Sequence, residues 1–235
     1  MMNFDLADKA ALNRVTLVSA AILVFVGVLM RLTLGVYPDR PAPADFSGPI
    51  SAVQFAGSAS ELDFALGNKT PYRDRVHTAV AFNSEMDLLF ILCYAAFMLS
   101  CTALVVAHFK ERKKRNYFPC VFIVIAALAD FAEDFGIFHA LSNDGTSGQF
   151  ILVSALVKWL CFYVATISMA ALLFRTVNDP PFGQPLTGIL TVLLFLSGVV
   201  GLTGLAAPIH FQHGAVLFSS APLVAILSVF AKRLQ

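Results

Sequence analysis

Residues 129–139, ADFAEDFGIFH, place three carboxyl groups, those of Asp130, Glu133 and Asp134, inside a run that is otherwise apolar from 118 to 141. Positions i, i+3 and i+4 share one face of an α-helix. A run of this length suits a helix that crosses a bilayer, where each ionisable group costs roughly 2.5 to 3.5 kcal/mol. The sequence therefore predicts a membrane helix whose acids have partners elsewhere in the chain.

The composition agrees with a membrane protein. The 235 residues are 58% hydrophobic and 13% charged, with a mean hydropathy of +0.76, whereas soluble domains are about 25% charged. The formal net charge is only +1, so nothing indicates a nucleic-acid partner, and membrane lipids are the expected surroundings. The four cysteines lie in apolar runs without a CxxC pair and are interpreted as small core residues: Cys93, Cys101, Cys120 and Cys161.

Hydropathy predicts an all-α bundle of six transmembrane helices that forms a single domain over 1–235. Only residues 207 and 208 lie between the last two predicted helices. Two interpretations of this region remain: a tight helical hairpin, or one long broken helix. The predicted spans are 15–36, 79–107, 117–141, 149–174, 186–206 and 209–231.

The distribution of Lys and Arg predicts the orientation, because cytoplasmic loops retain positive charge. The run KERKKR at 110–115 falls in one predicted loop, on the same side as both termini. We therefore expect cytoplasmic termini in a bacterial inner membrane. The outer side then receives five basic residues: Arg31, Arg40, Lys69, Arg73 and Arg75.

The long loop at 37–78 is predicted to be external and to carry one short amphipathic helix. Ser58 and Glu61 have the spacing of a capping box, and Gly67 suits the end of the helix. This helix could act as a lid over the bundle or lie at the membrane interface. Its apolar face would consist of Leu62, Ala65 and Leu66.

The ionisable residues of the predicted spans concentrate in the outer half of the bundle. This asymmetry predicts an acidic pocket that opens outward and has more carboxyl groups than cations. Residues 85 and 87 project about 200° apart on their helix, so not every acid need face the pocket. The candidate pocket residues are Glu85, Asp87, Asp130, Glu133, Asp134, Lys158 and Arg31.

The first functional interpretation is a cation site. His210 and His213, with Asp130 and Glu133, offer nitrogen and oxygen ligands for a divalent metal ion. A metal-bound water there would support hydrolysis of an outer-leaflet substrate. The same acids suit a cationic polar group, or proton and ion coupling. Haem ligation by His139 is disfavoured because no binding motif accompanies it.

The alternative interpretation is structural. Lys158 and Arg31 could neutralise the acids in a buried ionic network within a non-catalytic accessory or scaffold subunit of a membrane complex. Gly198, Gly201 and Gly204 permit close helix contact, either inside the bundle or between subunits of a homo-oligomer.

Three short motifs resemble a bacterial family of polytopic membrane proteins to which no activity is attached. They are MDLLFILCYAAF, of which 87–97 is the matched part, D-x-x-E-N/D at 130–134 and L-x-K-W/F at 156–159, after an FxxA-type segment at 55–67. The similarity covers about 50–173, and Asp134 stands where the family pattern has Asn. The resemblance implies a shared polar centre formed by Asp87, Asp130, Glu133 and Lys158.

Overall fold

The computed structural model describes residues 6–34, 49–108, 114–142, 148–176 and 185–203, together with Phe218 and Pro222. These residues form helices and turns and contain no strand. The all-α class is therefore confirmed for the described part of the chain. The helices are α1 (Leu6–Leu34), α2 (Pro49–Gln54), α3 (Ala59–Leu66), α4 (Arg73–His108), a short 3-10 helix (Lys114–Tyr117), α5 (Phe118–Ser142), α6 (Gly148–Phe174) and α7 (Pro185–Thr203).

Three of the described helices are long and apolar enough to cross a membrane, and they indicate a membrane protein. They contain the segments Lys9–Met30, Arg73–Ala107 and Gly148–Phe174. Helix α5 has 25 residues, about 37 Å at 1.5 Å per residue, and carries the three acids. Helix α7 contributes the shorter apolar segment Thr187–Thr203. The predicted sixth span at 209–231 lies outside the described residues, apart from Phe218 and Pro222.

The long helices pack in a chain of neighbours. Helix α4 contacts α1 and α5, and α6 contacts α5 and α7. Buried aromatic rings, including Tyr94, Phe97, Phe162 and Tyr163, fill the centre. Large apolar side chains such as Phe135, which is 72% exposed, point outward, as expected where lipid replaces water around a bundle.

Helices α2 and α3 close one end of the bundle. Ser58 accepts a hydrogen bond from the Glu61 N–H, and the Glu61 side chain accepts one from the Ser58 N–H, so the predicted capping box is formed. Gly67 ends α3 with φ 73°, a left-handed conformation that glycine adopts without a steric cost. The predicted apolar face of Leu62, Ala65 and Leu66 is buried.

The buried face of α2 and α3 packs on three longer helices at that end. The contacted residues are Val76 and Val80 near the start of α4, Ile137 near the end of α5, and Ile151 near the start of α6. At Gly148 an added Cβ would overlap the backbone carbonyl of Ala56. The loop helices are therefore seated directly on the bundle.

Two glycines of α7 allow close helix contact inside the subunit. A Cβ added at Gly201 would overlap the ring of Tyr163, and one added at Gly198 would overlap the Ile167 side chain on α6. Of the two possibilities left open by the sequence, Gly198 and Gly201 are used for internal packing. Gly204 lies outside the described residues.

Candidate functional site

Lys158 is the centre of a buried ionic cluster. Its Nζ lies 2.7 Å from Asp130 Oδ1 and 2.7 Å from Glu133 Oε2. The contact with Asp130 is a hydrogen bond, whereas the contact with Glu133 is an ion pair without hydrogen-bond geometry. Because Asp130 and Glu133 are three residues apart on α5, one ammonium group on α6 can reach both.

Two neutral polar side chains complete the acids' contacts. The Gln54 Nε2 of α2 donates to Glu133 Oε1 at 2.7 Å, and the Tyr94 hydroxyl of α4 donates to Asp130 Oδ2 at 3.0 Å. Lys158 also lies 5.1 Å from the ring centroid of Trp159, within the range of a cation–π interaction. The cluster thus ties together α2, α4, α5 and α6.

Asp134 is arranged differently from its two neighbours. It is 1% exposed, and the Ser84 side chain of α4 lies within hydrogen-bonding reach. Its Oδ2 has no hydrogen-bond partner among the described residues. Asp87, half-buried and one turn after Ser84 on α4, interacts electrostatically with Asp134 and with the Lys158 cluster. These residues form a second part of the site, next to the ion pairs.

The electrostatics of the site are dominated by negative charge. Asp130, Glu133 and Asp134 are each at most 4% exposed, and Lys158 is 5% exposed. Together with Asp87, four carboxyl groups adjoin one ammonium group in the described part of the structure. A low-dielectric site cannot hold such an excess of bare charge without another proton or cation.

The structure brings together five of the seven candidate pocket residues: Asp87, Asp130, Glu133, Asp134 and Lys158. Glu85 is exposed on α4 and is not among the buried acids. This separation agrees with the opposite projection of residues 85 and 87 around the helix. Arg31 belongs to α1, but its side chain lies outside the described residues.

The metal hypothesis depends on residues that the structure does not describe. His210 and His213 lie outside the described ranges. Within those ranges, no group of three or more His, Cys, Asp or Glu side chains is arranged to hold a metal ion. Asp130 and Glu133 instead contact Lys158, and His139 is exposed near the end of α5.

Three residues that contact the buried acids were not predicted from the sequence: Gln54, Tyr94 and Ser84. Tyr94 and Ser84 carried a usable signal, because Ser84, Asp87 and Tyr94 are spaced at three and seven residues and share a helical face. The sequence signal for Gln54 is weaker. Gln54 ends a six-residue helix that begins with proline, a favoured first residue of a helix. Its contact with Glu133 is long-range, so no local pattern predicts it.

Comparisons with known proteins do not assign this chain to a family. No protein-family profile matches the chain, and no curated protein or solved structure shows a significant similarity to it.

Proposed function

We propose that this chain is a multi-pass protein of the bacterial inner membrane, and that its buried acidic cluster binds a cation beside the ion pairs of Lys158. The observation that carries the proposal is the buried Asp134 Oδ2, which has no hydrogen-bond partner among the described residues although it adjoins several other acids. In this view both termini are cytoplasmic, six helices span the membrane, and the cluster faces the outer side.

The division of the cluster supports this function. Lys158 contacts Asp130 and Glu133 at 2.7 Å, whereas it interacts with Asp134 and Asp87 only at longer range. Asp134 and Asp87 are the acids for which a further positive charge would supply the missing compensation. A cation at that position would lie between α4 and α5.

The surrounding atoms favour a hard cation or a protonated amine. Besides the two carboxyl groups, Ser84 offers a hydroxyl oxygen at Asp134. Asn83 lies four residues before Asp87 and so shares its helical face; it is 1% exposed, and its side-chain oxygen also has no hydrogen-bond partner among the described residues. Oxygen-rich sites prefer hard cations, and the same oxygens accept hydrogen bonds from an ammonium group.

The further proposal of a divalent metal and of hydrolysis at the outer leaflet rests on His210 and His213.

The cation proposal is tested by ligand-dependent stability of the purified protein in detergent. The variants are Asp134→Asn, Asp87→Asn and, as a matched control on the exposed side of α4, Glu85→Gln. Thermal midpoints are measured in Na⁺, K⁺, Ca²⁺, Mg²⁺, Zn²⁺, Mn²⁺, Fe²⁺ and methylammonium salts against choline chloride at equal ionic strength, and elemental analysis follows each metal.

We expect one cation to raise the midpoint of the wild type and of Glu85→Gln, and to lose this effect in Asp134→Asn. A midpoint that no cation raises in the wild type, together with no co-purified metal, would overturn the proposal. So would an equal cation effect in wild type and Asp134→Asn.

The second candidate function is a non-catalytic accessory or scaffold subunit. It is supported by the paired contacts of Lys158 and by the hydrogen bonds from Gln54 and Tyr94, which join four helices without a ligand. For this function we expect Asp134→Asn to be at least as stable as the wild type under all ionic conditions, because the change removes an uncompensated charge. Co-purification of a fixed membrane partner with that variant would support it further.

A further inference from the structure

A cavity of about 270 Å³ opens at the bundle end opposite to α2 and α3, between the start of α5 and the end of α6. Its polar lining includes Asn116 and Arg175. Its apolar walls include Phe118, Pro119 and Leu172. The cavity is separate from the acidic cluster, because Asp130 lies 12 residues after the start of α5, about 18 Å along the helix.

The polar side of the cavity is built around Arg175. Arg175 is exposed, and its Nη1 lies 3.4 Å from Oδ1 of Asn116, which is 2% exposed. The buried amide thus contacts one edge of the guanidinium group at the mouth of the cavity. A guanidinium group presents a planar fork of donors that matches phosphate oxygens.

The sequence just before Asn116 is positively charged, as Arg175 is. KERKKR at 110–115 directly precedes Asn116 and contains five basic residues and one acid. Clusters of Lys and Arg beside a membrane helix attract anionic lipids, at about 1 kcal/mol per basic residue near the surface. A fully soluble anion would gain nothing from Phe118, Pro119 and Leu172, whereas a lipid has methylene groups that contact such walls.

We propose that this cavity binds the headgroup of an anionic phospholipid. Arg175 contacts the phosphate, and Phe118, Pro119 and Leu172 contact the glycerol and the first methylene groups of the acyl chains. Charge complementarity and the apolar walls select this occupant over free phosphate. The proposal is independent of what the acidic cluster binds.

The test is native mass spectrometry of the full chain in detergent, titrated with phosphatidylglycerol or with phosphatidylcholine of the same acyl chains. We expect the wild type to prefer phosphatidylglycerol. Arg175→Gln should weaken phosphatidylglycerol binding about fivefold and weaken phosphatidylcholine binding less, because the choline cation already offsets the charge of its phosphate. Arg175→Lys should lose less, because the charge is retained.

Two further variants keep the test specific. Arg75→Gln removes an exposed arginine from the other end of the bundle and should bind both lipids as the wild type does. Ala171→Trp, at an exposed residue that also lines the cavity, should fill it and reduce phosphatidylglycerol binding with Arg175 in place. Thermal midpoints establish that each variant is folded.

The proposal is overturned by equal affinity for the two lipids, or by wild-type phosphatidylglycerol binding in Arg175→Gln and Ala171→Trp. Equal weakening by Arg75→Gln would also overturn it, since the effect would then come from overall charge. Inorganic phosphate at millimolar concentration should not displace the lipid; displacement would indicate a site for free phosphate.

Discussion

The side-chain amide of Gln54 donates a hydrogen bond to Glu133 at 2.7 Å. This contact joins a six-residue helix in the loop before α4 to the most deeply buried acid of α5, which is 0% exposed. The seating of α2 on the bundle and the orientation of Glu133 toward Lys158 are therefore coupled.

Replacing Gln54 should loosen α2 while leaving the long helices folded. In Gln54→Met the side-chain volume is nearly kept, but Glu133 loses a hydrogen bond of the charged type, which is worth about 1.5 to 3 kcal/mol. We expect backbone amide hydrogen exchange at residues 50–54 of α2 to rise at least tenfold. Lys69→Met, at an exposed residue beyond the end of α3, is the control, and unchanged exchange in Gln54→Met would contradict the coupling.

Removing the ammonium group of Lys158 should be the most damaging single change in the cluster. Lys158→Met leaves Asp130 and Glu133 buried without their cation, and breaking a buried pair in this way costs about 3 to 5 kcal/mol. The free energy of unfolding, measured by denaturant titration in detergent, should fall by that amount. Lys69→Met, at an exposed residue, should be nearly neutral.

A variant without the two ion pairs provides a stricter check on the same point. The triple variant Lys158→Met, Asp130→Asn, Glu133→Gln neutralises all three members of these pairs and keeps only the carboxyl groups of Asp134 and Asp87, so it should regain at least half of the loss. A triple variant as unstable as Lys158→Met would show that the loss comes from packing and not from charge.

Tyr94 should stabilise the folded protein through its hydroxyl group. Tyr94→Phe keeps the ring in contact with Phe90 and Phe162 but removes the donor to Asp130. We expect a loss of about 1.5 to 3 kcal/mol, measured by the same denaturant titration. Tyr72→Phe, at a residue 47% exposed, is the matched control, and equal effects of the two variants would contradict a specific role for Tyr94.

The glycines of α7 allow a matched comparison of packing. Gly201→Ala places a methyl group against the Tyr163 ring, and such overpacking costs about 1 to 3 kcal/mol. At Gly188 an added Cβ meets no atom within 4 Å, so Gly188→Ala should stabilise the helix by about 0.5 to 1 kcal/mol. We expect the thermal midpoint to fall in Gly201→Ala and to rise in Gly188→Ala. Shifts in the same direction would argue against close contact between α6 and α7.

Local sequence signals were sufficient where the structure depends on local geometry. Helical periodicity predicted that Asp130, Glu133 and Asp134 share a face, and the capping box of Ser58 and Glu61 predicted α3 with its buried side. Both are consequences of residues within about one helical turn. The separation of Glu85 from Asp87 around α4 follows from the same rule.

The sequence by itself determined that the helices are apolar and that the acids of α5 need compensation, because hydrophobicity and helical spacing are properties of contiguous residues. Only the tertiary structure decided that Lys158 lies between Asp130 and Glu133, that Tyr94 and Gln54 complete their contacts, and that Asp134 lies outside those pairs. These contacts join residues 28 to 79 positions apart. They form only when α2, α4, α5 and α6 pack together, since side chains this distant in sequence meet only through the packing of whole helices.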